Sequence, residues 1–146
     1  MLDASHALIG ASIAKLVPNP YIGLPLNLIL HFFFDITPHW DLRTRKTKRS
    51  KLNIIALSLT DAFIGFSIGY LLFNQTIPLP YLFASMFIAQ FPDWLEAPYH
   101  IFEWNFFPFS SIKKLQSKLH NKLDLPWGLV IQILIVLFFI FLAKTI

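Results

Sequence analysis

From Trp127 to Ala143 the chain runs through Leu, Ile, Val and Phe with Gln132 as its only strongly polar side chain. A run of this kind can bury its backbone polar groups only as a helix, and about 20 such residues cross a bilayer. Four further apolar stretches precede it, giving segments at about 4–17, 21–36, 53–73, 79–95 and 127–143. Pro18-Asn19-Pro20 separates the first two, and Pro78 and Pro80 mark the turn before the fourth. Pro126 stands at the first turn of the fifth, where its missing N–H costs nothing. The expected fold is therefore an all-α membrane protein, one domain over residues 1–146, with about five transmembrane helices.

Composition agrees. Hydrophobic residues make up 55% of the chain and charged residues 14%, with 16% aromatic. A soluble domain carries about a quarter charged residues. The N-terminus has Asp3 and His6 ahead of its apolar run, where a cleaved signal peptide carries a basic region, so this stretch is read as part of the mature protein. Cysteine is absent. That excludes disulfides, thiolate zinc sites, iron–sulfur clusters and thiol catalysis, so any metal must be held by His, Asp, Glu or backbone.

The net charge of +4 is concentrated in two places. Arg43, Arg45, Lys46, Lys48, Arg49 and Lys51 fill the connection between the second and third stretches. Lys113, Lys114, Lys118 and Lys122 fill that between the fourth and fifth. Cytoplasmic loops carry an excess of Lys and Arg, and both basic loops fall on one side of a five-span topology. The expected orientation has the N-terminus in the cytoplasm and the C-terminus outside. The Arg43–Lys51 loop lacks aromatic interleaving, so no nucleic-acid partner is expected.

The segment between the fourth and fifth stretches is no span. Its first part, Tyr99 to Phe109, is aromatic and suits the membrane interface. Its second, about 110–123, repeats Ile112, Leu115, Leu119 and Leu123 at helical spacing, with lysines on the other face. Such a helix lies on the inner leaflet or packs on its own protein.

Ionisable residues within apolar segments are costly and are usually functional. By this topology they gather on one side: His6 opens the first span, His31 and Asp35 close the second, Asp93, Glu96 and His100 close the fourth, and His120 follows. His31 and Asp35 are four apart, and Asp93, Glu96 and His100 are three and four apart, so each set shares a helix face. His6, Gly10 and Ala14 share a face, as do Asp61, Gly65 and Gly69; small residues permit close helix contact. Metal ligands are thus expected at His6, His31, Asp35, Asp93, Glu96 and His100. Glu96 serves alternatively as general base, Asp61 as an orienting partner, and His120 as a further catalytic group. Lys113, Lys114 and Lys118 would attract anionic headgroups. His39 and Trp40 fit an interfacial belt alone, and Asp41 a salt bridge to the basic loop.

Ser5-His6-Ala7-Leu8-Ile9-Gly10 resembles the N-terminal His motif of the small inner-membrane metal-dependent hydrolase family, the YdjM-like, LexA-regulated group. His31-Phe32-Phe33-Phe34-Asp35-Ile36-Thr37-Pro38 is similar to its His-x-x-x-Asp-x-x-Thr-Pro element, and Pro92-Asp93-Trp94-Leu95-Glu96 to its Pro-Asp-x-Asp element, with Glu96 displaced by one. The resemblance implies a metal-dependent hydrolase of the cytoplasmic membrane. The residues suit a divalent metal, zinc or manganese/iron, and an ester or phosphoester of a lipid or amphipathic substrate. Two other functions fit the same residues: a divalent-metal carrier, and a non-catalytic membrane scaffold or sensor stabilised by metal.

Overall fold

A computed structural model describes residues 1–41 and 50–146. Arg43, Arg45, Lys46, Lys48 and Arg49, on which much of the orientation argument rests, lie outside the described residues. The described chain is all-α, in six helices: α1 (Asp3–Leu16), α2 (Pro20–Ile36), α3 (Lys51–Phe73), α4 (Leu79–Ile101), α5 (Phe109–Leu119) and α6 (Trp127–Thr145). Two of them, α3 and α6, are long and apolar enough to cross a membrane.

The shortest of the apolar helices is the central one. Helix α1 is rich in Ala, Ser and Gly, and its residues from Ser5 to Ala14 are all buried. It packs against α2, α3, α4 and α6. Small side chains make this possible, because they let neighbouring backbones approach closely. A Cβ added to Gly10 would lie 2.7 Å from both Ala89 Cβ and the Ser85 carbonyl of α4. One added to Gly65 of α3 would lie 2.6 Å from Ala4 Cα. The glycine faces of α1 and α3 are therefore real helix crossings.

The long helices α3 and α6 have the opposite character. Only 17% and 22% of their most apolar windows are buried. Phe63, Leu71, Leu134 and Phe141 stand mostly exposed along them. Large apolar side chains facing outward along two helices, around a core of small residues, suit a lipid surround.

Helix ends gather at one pole. The N-termini of α1, α3 and α6 and the C-termini of α2 and α4 meet there, with α5 packed across α4 and α2. The first turn of α1 would leave orphan N–H groups inside the bundle. Polar side chains from two other helices take part of that load. Ala4 N donates to Asp61 Oδ2 at 3.3 Å, and Leu2 N and Ser5 Oγ reach Gln132 Oε1 at 3.4 and 3.5 Å. Gln132, the lone polar residue of the apolar α6, thus faces inward and is fully buried.

Helix α4 continues past residue 95 to Ile101, through Pro92 and Pro98. Helix α5 covers 109–119 and packs through the buried Gln116, leaving Leu115 exposed. Its docked face keeps Ile112 and Leu119 of the row read from the sequence, both half-buried, and centres on Gln116 between them in place of Leu115.

Candidate metal centre

Asp35, in the last turn of α2, is the hub. Its carboxylate is fully buried. Oδ1 lies 3.2 Å from His6 Nε2 of α1 and also contacts the amino group of Met1. Oδ2 lies 3.3 Å from His31 Nε2, one turn back, and 2.8 Å from His120 Nε2, beyond α5. These nitrogens surround Oδ2 without making an aligned hydrogen bond to it.

Two histidine orientations are fixed from behind. His31 Nδ1 lies 2.8 Å from the Ala89 carbonyl of α4, and His39 Nδ1 lies 2.8 Å from the Thr37 carbonyl. A carbonyl only accepts, so each Nδ1 carries a proton, and in the neutral ring the lone pair is left on Nε2. This is the arrangement by which proteins orient metal-ligating histidines. Ala89 lies three residues before Pro92, in the turn where the proline interrupts the backbone ladder. His39 Nε2 is buried with no hydrogen-bond partner.

His39 belongs to this site although its sequence context suited an interfacial belt. Its partner segment explains why. His39 N donates to the Asn121 carbonyl, Leu123 N to the His39 carbonyl, and Asn121 N to the Asp35 carbonyl, at 3.1, 2.7 and 3.0 Å. This short parallel bridge sets His39 beside His120, with ring centroids 5.3 Å apart. Gly128, at the start of α6, lets that helix close on the bridge: a Cβ there would lie 2.0 Å from the Leu123 carbonyl.

Among the described residues two groups of three could hold a cation: His6, His31 and Asp93, and Asp35, His39 and His120, each with ligand atoms within 4.8 Å of one another. Ligands about 2.1 Å from a tetrahedral metal stand about 3.4 Å apart. The separations found here, 2.8 to 3.9 Å, bracket that spacing. Gln116 lies over the first group, its amide donating to Asp93 Oδ1 at 2.9 Å and standing 3.3 Å from His31 Nε2. In the sequence Gln116 is marked only by helical spacing, one turn from both Ile112 and Leu119.

The remaining expected residues are arranged around this centre. Glu96 and His100 pair with each other, and Lys113 Nζ lies 3.2 Å from Glu96 Oε1; they form a separate cluster outside both groups of three. Asp61 serves the first turn of α1 and joins neither group. Lys114 and Lys118 are exposed on α5. Asp41 pairs with Lys122 at 2.6 Å. A cavity of about 700 Å³ connects the clusters. Asp93 and His120 lie on one part of its lining, Glu96, His100 and Lys113 on another, and Ile54, Ile55, Leu59, Trp94 and Phe102 supply apolar wall.

Burial first, then the charge of the Met1 amino group, push His39 down to about 4 from the ordinary 6.5. The unfolded chain takes up this proton below about pH 6.5, the folded metal-free protein only near 4. Stability contributed by the neutral ring is therefore full above pH 6.5 and is lost as pH falls towards 4, by roughly 3 kcal/mol for a shift of this size. Denaturation midpoints of metal-free protein should drop across that window, and His39→Gln should flatten the drop. An equal slope in both proteins would remove His39 as the cause.

No protein family, curated protein or solved structure matches the chain.

Proposed function

We propose that this protein is an integral membrane, metal-dependent hydrolase that cleaves an ester or phosphoester of a lipid or other amphipathic substrate at headgroup depth. One observation carries the reading: two groups of His and Asp side chains with ligand spacing adjoin, through Asp93 and His120, a cavity of about 700 Å³ that carries both charged groups and an apolar flank of Ile54, Ile55, Leu59, Trp94 and Phe102. Sites for small molecules are concave and mostly apolar with a few convergent polar groups. A polar floor and an apolar flank suit a substrate with a charged head and a hydrocarbon tail.

A bound divalent cation would supply a nucleophile at neutral pH by lowering the pKa of its water to about 7. The chain's own residues do the rest. His6, His31, Asp35 and Asp93 hold and orient the cation, with the Ala89 carbonyl fixing the His31 ring. Glu96, hydrogen-bonded to His100, is placed to handle protons across the cavity. In hydrolysis the water oxygen bonds to the acyl carbon or phosphorus, the bond to the alcohol oxygen breaks, and the water's proton ends on that departing oxygen. Lys113 at the cavity wall offers positive charge to a headgroup, and the exposed Lys114 and Lys118 favour an anionic leaflet. The apolar outer faces of α3 and α6 support membrane insertion, with the basic loops on the cytoplasmic side.

The test uses detergent-purified protein reconstituted in vesicles of mixed phospholipids. Expected are near-stoichiometric zinc, manganese or iron by mass spectrometry, and headgroup or acyl release that stops on chelation and returns with added metal. Bound metal without turnover on any ester or phosphoester lipid would favour the scaffold or sensor. Absence of metal in protein never exposed to chelator would remove the hydrolase reading altogether.

A further inference from the structure

We propose that the cluster is a dinuclear centre in which Asp35 bridges two divalent first-row cations, one on His6, His31 and Asp93, the other on His39 and His120. This rests on the metal-dependent reading above but goes beyond it, because a hydrolase needs only one cation.

The two groups of three are not separate sites on the surface of the protein. They share a wall, and that wall is the Asp35 carboxylate. Oδ1 faces His6 at 3.2 Å, while Oδ2 faces His120 at 2.8 Å and His31 at 3.3 Å. A carboxylate has about four lone-pair positions on two oxygens and can bind two cations at once. The second group also has what a cation site needs and a core histidine lacks. His39 Nε2 is buried without a partner, Asp35 Oδ2 makes no aligned hydrogen bond, His120 Nε2 lies 2.8 Å from that oxygen, and the His39 and His120 rings are 5.3 Å apart. Buried polar atoms are otherwise almost always satisfied. Positive charge is already drawn to the hub: the Met1 amino group contacts Oδ1. A cation on the first group would displace that contact and the Gln116 amide from His31. Bimetallic hydrolytic centres place their ions about 3.5–4 Å apart, within the span of one bridging carboxylate.

Manganese is the probe, because two Mn²⁺ ions joined by a carboxylate give an exchange-coupled paramagnetic resonance spectrum distinct from that of isolated ions. The full chain in detergent is titrated with Mn²⁺ and the bound ion counted after desalting. Two ions per chain with a coupled spectrum are expected. His120→Ala, at a partly exposed residue, should bind one ion and give the isolated six-line signal, with folding checked by circular dichroism. Should that variant not fold, His39→Gln provides the same comparison. One ion in the wild type, or two without coupling, overturns the bridged centre and leaves a mononuclear hydrolase standing. No ion with manganese or with zinc overturns both readings.

Discussion

His31→Ala should remove metal-dependent hydrolysis, by more than about 100-fold, since even residues that only orient a ligand cost 10–100-fold when changed. His31 stands at the meeting point of the cluster. It faces Asp35 at 3.3 Å and Asp93 at 3.9 Å, stacks on His6 with ring centroids 4.1 Å apart, and is fixed through Nδ1 by α4. Alanine deletes a ligand and removes the one imidazole that faces both Asp35 and Asp93. Metal content should fall together with activity, because the same lone pair serves both. His100→Ala is the informative companion: it lies outside both ligand groups, so it should keep the metal and lose turnover. If His31→Ala retains full metal and full activity, the ligand assignment is wrong. If His100→Ala loses metal as readily as His31→Ala, the separation of the two clusters is wrong.

Gly10→Val should destabilise the bundle by about 3 kcal/mol or more, at the upper end of overpacking costs. Any side chain there begins 2.7 Å from Ala89 Cβ and from the Ser85 carbonyl, both of them rigid. Helices α1 and α4 must move apart, and they carry His6 and Asp93 respectively, so metal affinity should fall as well. A melting-point loss of order 10 °C in detergent is expected for a chain of this size. Gly69→Ala is the control. Its Cβ would meet Met86 Sδ at 2.5 Å, a flexible thioether rather than backbone, and helix propensity gains up to about 1 kcal/mol over glycine. A Gly10→Val protein as stable as the wild type would show that α1 does not need its close approach to α4.

Helix-periodic sequence made the nearby pairs readable. His31 and Asp35 are one turn apart on α2, and Glu96 and His100 one turn apart on α4; both pairs meet side by side in the folded protein. The same reasoning could not separate them. Placed together by their common side of the membrane, they divide into a buried His–Asp cluster and a Glu96–His100–Lys113 cluster across the cavity. Helix α4 continues through Pro92 and Pro98 to Ile101, past the end near residue 95 expected from the apolar run. A proline removes one donor and bends a helix, but neighbouring groups can use the freed acceptors.

The sequence alone determined the material of this protein: apolar helical runs with few charged residues, nitrogen and oxygen as its available metal donors besides water, and the gathering of those donors at one set of helix ends. Side-chain period and transfer energy are local properties, so a linear reading captures them. Tertiary structure decided which donors converge. His39 enters the centre through a two-segment bridge to residues 121–123, His6 through the packing of α1, and Gln116 through the docking of α5. Each of these contacts joins residues at least 23 positions apart in sequence except the one His39 makes with its own Thr37. Their geometry depends on how closely the helices approach, and that distance is set by glycine and alanine at the crossings, with the interior packed as densely as a crystal.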